Sequence, residues 1–121
     1  MKRKIKILIA EDEAINAFSM QRALSMSGYK VCELVSTGEE AVVAVEQEKP
    51  DLVIMDIILN GSVNGIEAAR EIRSRSDIPI LFITGYDERK LIQQIKSIPS
   101  STYLIKPITP KILSSTITRA L

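Results

Sequence analysis

The stretch Asp51-Leu52-Val53-Ile54-Met55-Asp56 decides how this chain is read. Val53, Ile54 and Met55 form an apolar run short enough for a strand buried on both faces, and the run ends in a carboxylate. In parallel α/β sheets ligands gather just beyond the carboxyl ends of the strands, so an aspartate there points into a site and away from the core. An aspartate after a strand is, taken alone, more often a turn former. The reading therefore depends on what the other strand ends carry.

Outward from that strand, strand and helix patterns alternate. Residues 4–10 alternate and then turn fully apolar (Ile7-Leu8-Ile9-Ala10), which predicts a first central strand. Glu11-Asp12-Glu13 follows, then a helical pattern with Ala17, Met20 and Leu24 on one face, closed by Gly28. Residues 31–36 read as a second strand. Thr37 and Glu40 are spaced as a capping box before a helix carrying Ala41, Val42, Ala44 and Val45. Beyond Asp56, residues 60–65 are rich in turn formers, and Ile66, Ala69, Ile72 and Arg73 mark a third helix. Residues 79–84 form a fourth strand with proline at its permitted first position. Gly85 breaks it, and Asp87 is placed to cap a helix with Leu91, Ile95 and Ile98 at helical spacing. Residues 102–106 give a fifth strand ended by Pro107, and Ile112, Leu113, Ile117 and Leu121 line a last helix. Five strands alternating with five helices predict one parallel sheet covered on both faces, because right-handed crossovers lay each helix against it. The doubly wound order 2-1-3-4-5 is preferred over a Rossmann order.

Composition narrows the function classes. A chain of 121 residues, 45% hydrophobic and 26% charged, supports one globular domain with one sizeable core. The single cysteine, Cys32, excludes an internal disulfide and a multi-cysteine metal site; beside Val31, Leu34 and Val35 it reads as an inert, half-buried strand residue. With no histidine, the chain has no imidazole ligand, no histidine base and no phosphohistidine of its own. A net charge of +1 with dispersed Lys and Arg makes no electrostatic case for nucleic acid. The apolar run after the basic N-terminus is broken by Lys6 and stops at Ala10, so no membrane contact and a soluble, cytoplasmic protein are expected.

In the order 2-1-3-4-5 the first and third strands flank the point where the winding reverses. Glu11 and Asp12 end the first, Asp56 the third, Thr84 the fourth and Lys106 the fifth, so all five can converge on one crevice. Three carboxylates there repel unless a cation joins them. All-oxygen ligands select Mg²⁺ or a similar hard ion such as Mn²⁺. A carboxylate beside such an ion, an ammonium and a hydroxyl is equipped to take a phosphoryl group. Lys106 and Thr84 would each meet one phosphoryl oxygen. Thr84 moving toward it would vacate space for a nearby side chain to repack, and Tyr103 is placed to be that side chain.

These residues, in this order, resemble the response-regulator receiver domain of two-component signalling, and the likeness covers residues 1–121 as one domain. The matching pieces are Ile7-Leu8-Ile9-Ala10-Glu11-Asp12, Val53-Ile54-Met55-Asp56, Asn64-Gly65-Ile66-Glu67-Ala68-Ala69, Ile83-Thr84-Gly85 and Tyr103-Leu104-Ile105-Lys106-Pro107. The resemblance implies a flavodoxin-like (βα)5 fold, with Asp56 as phosphoacceptor in a Mg²⁺-dependent reaction. It implies that Asp12 holds the ion directly, Glu11 largely through water, and Ile58 through its backbone carbonyl. It also implies a cis peptide at Lys106-Pro107, a donor that is a sensor histidine kinase or phosphotransfer protein, and an output partner on the face of the fourth helix, fifth strand and fifth helix. A homodimer formed on phosphorylation remains open.

The chain also departs from the family pattern. Gly65 lies one residue further from Asp56 than the commonest spacing, Asn64 replaces the usual Asp, Pro99-Ser100-Ser101-Thr102 replaces a frequent Gly-Ala-Asp, and Ile108 stands where Phe is frequent. Ile58 and Tyr86 flank the acceptor and are expected to tune how fast water removes the phosphoryl group; apolar Ile58 and bulky Tyr86 predict a long-lived state. An enzyme of the haloacid-dehalogenase kind wants an acid two residues after its nucleophile, and Ile58 stands there, so no turnover of an external substrate is expected. A nucleotide- or flavin-binding domain would need a glycine-rich loop that no strand is followed by. Stand-alone action and a segment of a larger regulator or hybrid histidine kinase both fit.

Overall fold

The computed structural model describes residues 4–59, 61 and 64–121, with Tyr86 described through its backbone alone. The strands are β1 (Lys6–Ala10), β2 (Lys30–Val35), β3 (Leu52–Asp56), β4 (Ile80–Thr84) and β5 (Ser101–Ile105). They form one parallel sheet in the order β2-β1-β3-β4-β5, as the sequence pattern predicts. Burial explains why β3 and β4 read as unbroken apolar runs: every residue in both is covered on whichever face it points to.

Alternation along the strands builds two cores. Leu8, Val53, Met55, Ile80 and Phe82 point to one side, against α2 (Gly38–Glu48), α3 (Gly65–Arg73) and α4 (Ile92–Lys96). Ile7, Ile9, Leu52, Ile54, Leu81 and Ile83 point to the other, against α1 (Ala14–Met26) and α5 (Pro110–Ala120). Each fully buried Ile, Leu or Phe in these layers contributes about 1.5–3 kcal/mol relative to exposure.

Local chemistry sets the helix starts. Thr37 accepts a hydrogen bond from Glu40 N–H at 3.1 Å, and the Glu40 carboxylate accepts in return from the Thr37 hydroxyl at 3.1 Å and from Ser36 N–H at 3.3 Å. A complete capping box forms at α3, where Asn64 and Glu67 satisfy each other's backbone. Thr109 caps α5, with Pro110 in its first turn. Cys32 sits where the β1–β2 register slips, since Ile7 pairs with Val31 but Leu8 with Glu33. Its half-buried thiol lies 3.6 Å from the Ile7 carbonyl, and burial pushes its pKa up, which suits an inert thiol.

Two expectations need correction. The fourth helix does not start at an Asp87 cap: Gly85 takes that position, residues Tyr86–Leu91 form a 3-10 segment, and only Ile92–Lys96 are α-helical. Asp87 has no hydrophobic residue at helical spacing before Leu91 to draw an α-turn onto the core. On α5, Leu113 and Ile117 are buried but Ile112 and Leu121 are exposed, because the sheet receives a narrower stripe than the apolar pattern offers. Of the turn-rich stretch after β3, Asn60, Ser62 and Val63 lie outside the described residues. No helix among the described residues is long and apolar enough to cross a membrane.

Gly65 carries a strict steric demand. A Cβ there would overlap the Asp56 carbonyl oxygen and lie 2.9 Å from Ile57 Cα, both backbone atoms that cannot yield independently. Gly28, at φ +93°, has open space around it, so alanine there meets only backbone strain. Gly65→Ala is therefore expected to cost about 2–4 kcal/mol and Gly28→Ala about 1 kcal/mol, read as the difference between their urea midpoints. Equal losses would contradict the close approach.

Candidate functional site

Sheet register brings the acids together. Ala10 pairs with Met55, so Glu11 and Asp56 come next, side by side at the carboxyl rim. Asp56 pairs with Ile83 and Thr84 with Ile105, which sets Thr84 and Lys106 one step beyond. Lys106 N–H donates to the Thr84 carbonyl at 2.8 Å, fastening the ends of β4 and β5. The Lys106–Pro107 peptide is cis.

Carboxylate oxygens of Glu11, Asp12 and Asp56 lie within 4.8 Å of one another. Glu11 and Asp56 are only 4% and 5% exposed, and Asp12 is half-buried. Both oxygens of Asp56 are held: Oδ1 accepts from Ile58 N–H at 3.1 Å, and Oδ2 pairs with Lys106 Nζ at 3.2 Å. Partial burial works against the Lys106 ammonium, but its hydrogen bond and attraction to Asp56, with Glu11 and Glu13 behind, outweigh that and raise its pKa. Burial pushes the Glu11 carboxyl up from 4.5 to about 7, helped by a hydrogen bond to Asp56 and repulsion from it, against the pull of Glu13 N–H and Lys106. The pocket thus demands positive charge beyond what Lys106 supplies, and a proton on Glu11 meets part of the demand. A donor set of three clustered carboxylates fits a hard divalent cation in the same role.

Thr84 is fully buried, and its Oγ1 donates to the Gly85 carbonyl at 3.2 Å. Tyr103 lies mid-strand in β5, opposite Phe82, half-buried against the core on the α4 side. Ile58, two residues beyond Asp56, is about half exposed. The Tyr86 side chain lies outside what the structure describes. A cleft of about 380 Å³ opens beside the acids, lined by Glu11, Met20, Lys106, Pro107 and Ile108 among others. Sequence reading missed two supports of the site. The Gly65 contact with the Asp56 backbone leaves no mark in a single sequence. The Asn64–Glu67 capping box, which fixes α3 behind that contact, was visible in its spacing.

A doubly wound parallel sheet whose only described cluster of acids sits at the winding reversal, with a lysine paired to the central one, is the architecture of CheY-like α/β signalling domains. Comparison with known proteins agrees. The model of the response regulator receiver domain matches residues 7–118. The chain is 38% identical over 104 residues to the transcriptional regulatory protein PdtaR of Mycobacterium tuberculosis, covering 86% of this chain and 50% of that protein. It is 34% identical over 118 residues to the phyllosphere-induced regulator PhyR of Methylorubrum extorquens, covering 96% of this chain and 43% of that one. Among solved structures, the chemotaxis protein CheY4 of Vibrio cholerae superimposes with a TM-score of 0.89 at 26% identity, covering 98% of this chain and 100% of that one. The chain belongs to the response-regulator receiver domain family of two-component signalling. It spans about half the length of the curated relatives it matches.

The Glu11 shift has a measurable consequence. Its carboxyl is easier to protonate folded than unfolded, so its stabilising contribution is complete below pH 4.5 and is lost as pH rises through about 7. In chelator-treated protein, Glu11→Gln is expected to remove a pH-dependent term of about 1–3 kcal/mol across that window, measured by chemical unfolding at several pH values. Parallel pH profiles for wild type and variant would refute the assignment.

Proposed function

We propose that this domain accepts a phosphoryl group on Asp56 from a sensor histidine kinase or phosphotransfer protein, in a Mg²⁺-dependent reaction, and relays the change to a partner. One observation supports this above the others: Asp56 is a buried carboxylate whose two oxygens are separately held, by Ile58 N–H and by Lys106, within an acid cluster. Such a carboxylate is oriented as a nucleophile before the donor arrives. An Asp56 oxygen bonds to phosphorus as the donor's bond to phosphorus breaks, and the leaving group keeps the electron pair. Lys106 passes from Asp56 to a phosphoryl oxygen. Thr84 Oγ1 leaves the Gly85 carbonyl to bond a second oxygen.

Asp12 and Asp56 would hold Mg²⁺ directly, Glu11 through water and Ile58 through its carbonyl. The ion, when bound, neutralises charge on the transferring group. The switch then runs from Thr84 to Tyr103 and alters the face formed by α4, β5 and α5, where an output partner docks. Receiver domains are not generally turnover enzymes, and Ile58 offers no acid for a hydrolytic cycle here.

Incubation with acetyl phosphate and Mg²⁺ is expected to add one phosphoryl group to wild type and none to Asp56→Asn, read by intact mass. Labelling of both would refute Asp56 as acceptor. Ile58→Asn places a group that can hydrogen-bond water beside the acyl phosphate, so the half-life should shorten; an unchanged decay would remove Ile58 from the tuning role.

A further inference from the structure

Gly85 follows Thr84 directly and starts the 3-10 segment, and the side of its α-carbon where a side chain would stand is occupied. A Cβ built there would lie 2.5 Å from one Glu88 carboxylate oxygen and 3.2 Å from the other oxygen and the carboxylate carbon. Glu88 is therefore folded back onto Gly85, and its own N–H donates to the Gly85 carbonyl at 3.1 Å. That carbonyl is also where the Thr84 hydroxyl is parked. Because Thr84 pairs with Ile105, Gly85 stands level with Lys106, whose ammonium reaches Asp56. A carboxylate thus lies on the backbone of the residue that follows Thr84 and receives its hydroxyl.

The charge has a direct consequence for chemistry at Asp56. An incoming phosphoryl group brings negative oxygens toward Thr84 and the Gly85 backbone. A like charge laid on that backbone repels it, more at low ionic strength and less as salt screens the field. We propose that Glu88 is a charge gate on the pocket: laid on Gly85, it slows entry of anionic phosphoryl donors and is displaced when phosphoryl oxygens dock beside Thr84. The 3-10 segment that carries it is a single short stretch with weak hydrogen-bond geometry, so it can follow the displaced side chain at low cost. The gate rests on the reading of Asp56 as phosphoacceptor, and it adds a residue that shares no ligand with that site.

Glu88→Gln keeps the shape against Gly85 and removes the charge. With the full chain, Mg²⁺ and acetyl phosphate, an Asp56 oxygen bonds to phosphorus while the bond to acetate breaks, and acetate leaves with its electron pair. In low salt the variant is expected to label about three- to tenfold faster than wild type, with the advantage shrinking as ionic strength rises past the point where the screening length is about 10 Å. Glu88→Ala should show the same acceleration, which covers a folding defect in either variant alone, and thermal melts check both. A purely structural role for Glu88 would change the melting temperature and leave the salt dependence of labelling equal to wild type. Equal or slower labelling by both folded variants at every salt overturns the gate while leaving Asp56 intact. Failure of wild type to label, or labelling of Asp56→Asn, overturns the acceptor reading and the gate with it.

Discussion

Three carboxylates confined within 4.8 Å, two of them buried, cannot all stay charged without compensation, and the molecule is arranged around supplying it. Lys106 provides one positive charge through a 3.2 Å contact with Asp56. A proton on Glu11 supplies part of the rest, since burial pushes its carboxyl up to about 7. No single segment could assemble these groups. Glu11, Asp56 and Lys106 are far apart in sequence and meet because parallel strands deliver their carboxyl ends to one rim. The reversal of winding between β1 and β3 opens a crevice there, where the first crossover helix leaves on one face and the next on the other.

The opposite rim is built for different ends. The two larger clefts, of about 500 and 490 Å³, lie away from the acids, one running along β5 from Ser100 to Leu104 and the other beside Pro50 and Ile78. They hold no cluster of titratable groups to rival the acids. There α2 and α3 are joined across the surface by Arg75, which pairs with both Glu46 and Glu71 on exposed side chains, an arrangement worth little in water. Size of cavity and density of chemistry are separated in this fold. The smaller cleft beside the acids matters because of what lines it.

Much of this was legible in the sequence because two periodicities do not overlap. Continuous apolar runs at Ile7–Ala10, Val53–Met55 and Ile80–Ile83 read only as covered strands, and once they alternate with helical stripes the sheet order follows with few competitors. The cluster of acids and its lysine was legible for the same reason: polar residues that terminate such runs are conspicuous. What stayed hidden depends on neighbours remote in sequence. Ile112 and Leu121 have the spacing of core residues, yet the sheet is too narrow to cover them. Asp87 has the chemistry of a cap, yet the chain prefers a 3-10 path that the Gly85–Glu88 contact accompanies. Ile15, Phe18 and Met26 sit exposed on α1 although the same helix buries Ala17 and Leu24, so hydrophobicity alone does not name the inner face.

Rigidity is distributed unevenly around the acids, and the unevenness has a direction. On the β1–β3 side, Gly65 packs against the backbone of Asp56 and Ile57, its N–H donates to the Ile57 carbonyl at 2.8 Å, and a full capping box holds α3 behind it. That side cannot move without breaking backbone contacts. On the β4–β5 side, the Thr84 hydroxyl makes a 3.2 Å bond, long for two oxygens, and the helix that follows has only five α-helical residues. A long hydroxyl bond is exchanged for a charged acceptor at a net gain, since bonds to ionised groups are shorter and roughly twice as strong. The rim around Asp56 is thus fastened through backbone on the side of Gly65 and held by one long hydroxyl bond on the side of Thr84.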